Sequence, residues 1–198
     1  MILSRDNPPP SSIPPTLSPW RISTERYLEM AGEGVFEGDR VELINGMIID
    51  MSPAGTKHAA VVNRISKLFT RMCGELEPWT QSTMVIAKGQ VYEPDFALLK
   101  PRPASDPYAN RHPHPQDIAL LIEVCGSSLA KDREVKLPVY AAAGIAEVWL
   151  VDIDNDSVQV CREPKDQAYA SMQTAGAGEQ LAAVCLPGQV VGVDALFA

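Results

Sequence analysis

Hydrophobic positions change their period along this chain, and each change marks an element. From Thr56 to Met72 the residues Val61, Ile65, Leu68, Phe69 and Met72 recur at helical spacing. They predict an amphipathic helix, with His58 in its first turn on the same face, ending at Cys73-Gly74. Arg40–Ile44 and Met47–Met51 flank Asn45-Gly46, the residue pair that a two-residue type I′ hairpin turn demands. Before the hairpin, Ser23 or Thr24 can cap a short helix carrying Tyr27, Leu28 and Met30 on one side and closed by Gly32 and Gly34. Its size suits a lid or edge element.

After the long helix, strands are predicted at Trp79–Ala87 and Val91–Leu99, joined at Lys88-Gly89, with Pro94 interrupting the pairing. Prolines crowd Lys100–Gln116, which reads as a long loop. Ile118–Val124 is an unbroken apolar run, the mark of a strand covered on both faces. A helical segment, Leu129–Ala143, then leads through Gly144 into the strand Glu147–Asp152, giving a strand, helix, strand crossover. Ser157–Arg162 and Tyr169–Thr174 predict added antiparallel strands, and Val193–Phe197 a turn of helix. No internal repeat or second core is visible. The expected architecture is one α/β domain over residues 20–198, a central mixed sheet flanked by helices with antiparallel β additions. Met1–Pro19, rich in proline and serine, is expected to be a flexible tail.

Composition narrows the class. With 45% hydrophobic and 21% charged residues in 198, the chain has the balance of a soluble globular protein. Its longest apolar runs, Ile118–Val124 and Ile145–Val151, fall far short of the ~20 residues needed to span a bilayer. No basic segment leads into an apolar one at the N-terminus, so the expected compartment is the cytoplasm. Cys73, Cys125, Cys161 and Cys185 are irregularly spaced, which implies reduced thiols rather than a zinc knuckle or a disulfide framework. The net charge of -8 is unfavourable for nucleic-acid binding, which rests mainly on lysine and arginine meeting phosphates: either such binding is weak and local or the partner is something else.

Candidate chemistry lies in Pro94-Asp95, in Glu123 at the end of the apolar run, and in Lys136 on the following helix. Magnesium takes hard oxygen ligands, keeps several waters, and is commonly held by one or two carboxylates plus substrate phosphate. A lysine beside it can orient a water and offset charge in the transition state. Each residue also fits a structural role: Pro-Asp as a turn, Glu123 as the polar end of a core strand, Lys136 as a solvated residue paired with Asp132. Pro138 predicts a kink or a fresh helix start just after Lys136. Tyr140, one turn on, fits a packed ring with its hydroxyl at the surface, or a phosphate contact. His58 fits a core histidine hydrogen-bonded to backbone, or a metal ligand or proton-transfer group. Glu42 alternates with Val41 and Leu43, a position that in a half-buried hairpin faces water. His112 and His114 lack the acids of a zinc site. Gly32-x-Gly34 lacks the strand and lysine of a phosphate loop, and Ser127-Ser128 lacks the glycines of a nucleophile elbow.

The order of these residues resembles the PD-(D/E)XK nuclease superfamily with its restriction-endonuclease-like fold. More closely, the chain is similar to the small bacterial family of putative restriction endonucleases, over about Ser23 to Phe197. The resemblance is carried by Val41–Gly46, Met51-Ser52-Pro53 followed by His58, Pro94-Asp95, Leu121–Val124, Asp132–Tyr140, and Ala143-Gly144 through Val148–Asp152. It implies a metal site made by Asp95, Glu123 and the backbone carbonyl of Val124. The superfamily's usual lysine place, two residues after the acid, is Cys125 here. The resemblance therefore assigns the catalytic lysine to Lys136, and Glu42 to an accessory ligand position. Where the family commonly runs Leu-Ser-Pro-Ser after this glutamate and valine, this chain has Cys125-Gly126-Ser127-Ser128.

The resulting expectation is a magnesium- or manganese-dependent endonuclease on DNA, leaving a 5′-phosphate and working as a homodimer, as many nucleases of this fold do. Two alternatives remain open: a catalytically degenerate scaffold serving as an interaction module, and a metal-dependent phosphoesterase on RNA or a small substrate.

Overall fold

The computed structural model describes residues 18–52, 54–126 and 128–198. Most of the expected tail, together with Pro53 and Ser127, lies outside them. The chain is of mixed α/β type. A four-stranded antiparallel sheet has the order β2-β1-β5-β4, from β1 (Val41–Ile44), β2 (Met47–Asp50), β4 (Met84–Ala87) and β5 (Gln90–Tyr92). A six-stranded mixed sheet has the order β10-β9-β8-β7-β6-β3, from β3 (Glu77–Thr80), β6 (Phe96–Leu99), β7 (Ile118–Cys125), β8 (Glu147–Asp152), β9 (Ser157–Lys165) and β10 (Ala168–Ala175). Only β7 and β8 pair in parallel in this sheet, joined by the predicted helical crossover. A two-stranded ribbon, β11 (Gln180–Leu181) with β12 (Val191–Gly192), escaped the sequence pattern because neither piece is long enough to show a period.

Alternation along the strands sorts the core into two faces. Phe96, Leu98, Leu120, Ile122, Val124, Trp149 and Val151 pack with Val61, Ile65 and Phe69 of α2 (Thr56–Met72) and with Leu196 of α5 (Asp194–Phe197). Their neighbours Ala97, Leu99, Leu121, Cys125, Val148 and Leu150 pack on the other face with Leu137, Tyr140 and Ala141 of α4 (Leu137–Ala142). Burial on both sides is why β7 reads as an unbroken apolar run. The expected short helix is α1 (Thr24–Gly32), capped by the Ser23 side chain, and its Tyr27 packs with Leu43 and Val91 on the smaller sheet. Among the described residues no helix is long and apolar enough to cross a membrane.

The two strands predicted around Lys88-Gly89 are each divided between sheets. The first becomes β3 and β4, with Gln81 at φ 43° where the chain leaves one sheet for the other. The second becomes β5 and β6, separated by Glu93-Pro94-Asp95; Pro94 cannot donate to a ladder, so the break falls there. Both breaks fall on short polar runs, Thr80-Gln81-Ser82-Thr83 and Glu93-Pro94-Asp95, which interrupt the apolar pattern without showing that the chain changes sheet there. The segment after β7 is likewise not one uniform helix. It comprises α3 (Leu129–Lys131), a π-helical turn at Asp132–Lys136 and α4, with Leu137 N–H donating to Asp132 O across five residues. This widened turn stands directly before Pro138, which lacks the amide donor that an α-helix would use there.

Candidate active site

β6 and β7 run antiparallel with Phe96 opposite Ile122, so Asp95 enters the sheet beside Glu123. Asp95 is buried and held by three neighbours. Its Oδ2 accepts from Val124 N at 2.9 Å and lies 3.0 Å from His58 Nε2, and its Oδ1 accepts from Gln81 Nε2 at 3.2 Å. Glu123, 3% exposed, lies on the sheet face covered by α4 because Leu121 and Cys125, two residues either side, do so. There its Oε1 accepts from Lys136 Nζ at 3.2 Å and from the Tyr140 hydroxyl at 2.5 Å. Lys136 also donates to Glu42 Oε1 at 2.8 Å, and stands over the Tyr92 ring at 5.5 Å.

Three readings made from spacing change in the folded chain. Lys136 is 2% exposed rather than solvated, and Asp132, four positions earlier, is its most distant acidic neighbour at 4.0 Å. Glu42 does not face water; it is 1% exposed, accepts from Glu93 N at 3.0 Å as well as from Lys136, and lies beneath the helical crossover. Tyr140 holds its hydroxyl inward on Glu123 rather than at the surface. His58 is a partly buried residue bound to Asp95, neither a free ligand nor a plain core histidine. Gln81 and Lys131 carried no sequence signal. Gln81 sits in the sheet-switching bend, and Lys131 in a helix whose faces the π turn redistributes.

Electrostatics follow from this burial. Removal from water is the chief cause that pushes the Glu123 carboxyl up to about 8, opposed by the Lys136 ammonium and reinforced by Asp132, Asp95 and Glu42. Burial works against the Lys136 ammonium, but Glu123, Glu42 and Asp132 outweigh it and hold the group charged. The hydrogen bond to Asp95 raises His58. Burial, then Glu123, drives Tyr140 well up, keeping it a donor. Cys125, at the superfamily's lysine place, is wholly buried with its thiol pushed up by burial, so it supplies no charge.

Asp95, Glu123, Val124, His58 and Lys136 line one cavity of about 620 Å³. A cavity of equal volume behind Pro138 and Val139 has no acid among its lining residues, so chemistry rather than size separates the two. Among the described residues no three His, Cys, Asp or Glu side chains converge as a ready cation cage. Magnesium does not need one. A carboxylate offers about four acceptor sites. Protein donors take three on Asp95 and two on Glu123, which leaves acceptor capacity on both.

Fold and site together define a PD-(D/E)XK-type, restriction-endonuclease-like protein. The model of the Uma2 family, described as "Putative restriction endonuclease", matches residues 24–194, and the chain belongs to that family. In fold it is similar to a solved structure described as a putative nuclease belonging to DUF820 from Anabaena variabilis. The TM-score is 0.71 at 18% identity, covering 89% of this chain and 97% of that one. No curated protein matches the chain.

Proposed function

We propose that this protein is a magnesium- or manganese-dependent endonuclease on DNA. The observation that supports this reading above all is the meeting of Lys136 with Glu123 at 3.2 Å in the cavity that Asp95 also lines. Asp95, Glu123 and the Val124 carbonyl would hold the metal, which when bound supplies Lewis-acid activation of a water and neutralisation of phosphate charge. Val124 N, His58 and Gln81 orient the Asp95 carboxylate. Tyr140 and Lys136 fix Glu123 through Oε1, and Glu42 fixes Lys136 in turn, so the ammonium is already placed to orient a water and to meet charge developing on the phosphate. Glu42 acts here as the lysine's anchor rather than as a ligand. The local nature of the cationic groups is consistent with an acidic protein that meets a few phosphates rather than a long duplex.

Two such sites are needed to cut both strands at once, so the homodimer belongs to the same proposal. The edge strand β10, eight residues (Ala168–Ala175) without a charged side chain, is a long sheet edge open to pairing with a second copy.

Supercoiled plasmid incubated with magnesium or manganese tests the proposal. Wild-type protein should nick it, leaving 5′-phosphate ends, while EDTA, Asp95→Ala and Lys136→Met should each reduce nicking by at least a hundredfold. Equal nicking by the variants, or none by wild type, overturns it. In the second case, metal titration by calorimetry separates an empty scaffold from a metal-dependent enzyme on RNA or a small phosphoester.

A further inference from the structure

The cavity is lined by three lysines, Lys57, Lys131 and Lys136, and they are not equally committed. Lys57 donates to Ile153 O and lies 3.3 Å from Asp156 Oδ1. Lys136 is buried between Glu42 and Glu123. Lys131 has weaker partners. Its Nζ reaches Met51 Sδ at 2.9 Å, a thioether and thus a weak acceptor, and stays 3.7 Å from Glu42 Oε2. That Glu42 oxygen is buried and takes no hydrogen bond among the described residues. The Lys131 side chain remains 30% exposed.

The backbone explains how it comes to be there. Residues five apart on an α-helix point about 140° away from each other, which would turn Lys131 out of a cavity that Lys136 enters. The π turn at Asp132–Lys136, hydrogen-bonded from Leu137 N to Asp132 O, brings positions five apart nearly into line. Both ammonium groups therefore address the two oxygens of one carboxylate, Glu42, one at bonding distance and one beyond it.

We propose that Lys131 is a substrate-binding cation of this site, which exchanges its thioether contact for a non-bridging phosphate oxygen of the nucleic-acid backbone. The role rests on the nuclease reading for its substrate, but it is tested by binding alone. A lysine with unused donors, partial exposure and no carboxylate within hydrogen-bond distance gains a charge-assisted hydrogen bond on meeting phosphate. Lys136, buried and already bonded to two carboxylates, has less to gain from a further phosphate contact.

Fluorescence anisotropy of a labelled DNA duplex, with calcium in place of magnesium, should be recorded across a salt series. Lys131→Met should weaken binding about tenfold and reduce the slope of log affinity against log salt by about one, the signature of one lost phosphate contact. Lys131→Arg should restore the slope, whereas Met51→Leu should leave it unchanged. A Lys131→Met protein with a lowered Tm but the wild-type slope overturns the proposal and makes Lys131 a purely structural residue. Wild type that binds but does not cut overturns the nuclease reading while the slopes still decide the role of Lys131. A wild type that binds no DNA overturns both.

Discussion

Lys136 Nζ stands 2.8 Å from Glu42 Oε1, across 94 residues of chain, and this contact joins the hairpin of the small sheet to the helix that crosses the large one. Glu42 and Glu123 flank the same ammonium, so each acid is tolerable in the interior because the lysine is there, and the lysine because of them. Breaking a buried pair from one side leaves an uncompensated charge, at a cost of roughly 3–5 kcal/mol. Lys136→Met should lower stability by that amount in urea denaturation. The double variant Lys136→Met with Glu42→Gln should recover part of it, since it removes one of the stranded charges.

Tyr140→Phe isolates one hydrogen bond. It leaves the ring in its fully buried place against Tyr92 but deletes the donor to Glu123 Oε1. The expected loss is about 1–3 kcal/mol of stability, the range for a buried acceptor left short of a partner, read from the shift of the chemical-denaturation midpoint at constant m.

Gly46→Ala should destabilise the hairpin although it adds only a methyl group. Gly46 has φ 74°, and a Cβ there would stand 2.9 Å from Arg21 Cβ and 3.1 Å from Ile22 O. Strain and crowding together should cost upward of ~1 kcal/mol. Asn45→Ala, at φ 51° but with its side chain bound to Gln90, should cost a comparable amount. Thermal melts of the two variants check both.

Asp152 predicts an acid-sensitive turn. Burial works against its charged form, but hydrogen bonds from the Asn155 side chain and from the amides of Asp154 and Asn155 prevail and hold the folded pKa below the ordinary value. A lowered folded pKa stabilises the protein above the unfolded value of about 4, and that contribution disappears as pH falls through the folded value. Wild type should therefore exceed Asp152→Ala in urea midpoint at pH 7, and the gap should narrow by pH 3.

Thiol reactivity should follow burial. Cys125 and Cys161 are fully buried, and burial pushes the Cys161 thiol up to about 11. Neither should react with a thiol reagent at pH 8 until denaturant is added, whereas Cys73, partly exposed, should react in the folded protein.

Much of this molecule is determined by local sequence. Asn45-Gly46 demands left-handed backbone and makes its hairpin; Val61, Ile65 and Phe69 make α2 at the predicted bounds; the apolar run before Glu123 makes a strand buried on both faces. The order of Asp95, Glu123 and Lys136 was legible for the same reason, since each lies at a recognisable end or turn of an element. What tertiary structure decided is which neighbours those residues meet. The sheet switches at Gln81 and Pro94 lie in short polar runs, Thr80-Gln81-Ser82-Thr83 and Glu93-Pro94-Asp95, that mark an interruption but not the change of sheet, because both sheets bury the same residue types on either side. The burial of Glu42, the inward hydroxyl of Tyr140 and the presence of Lys131 in the cavity depend on a π turn and on contacts between residues tens of positions apart. Periodicity records which face of an element is apolar. It cannot record which distant polar atom will be waiting there, and that pairing is what makes these buried charges tolerable.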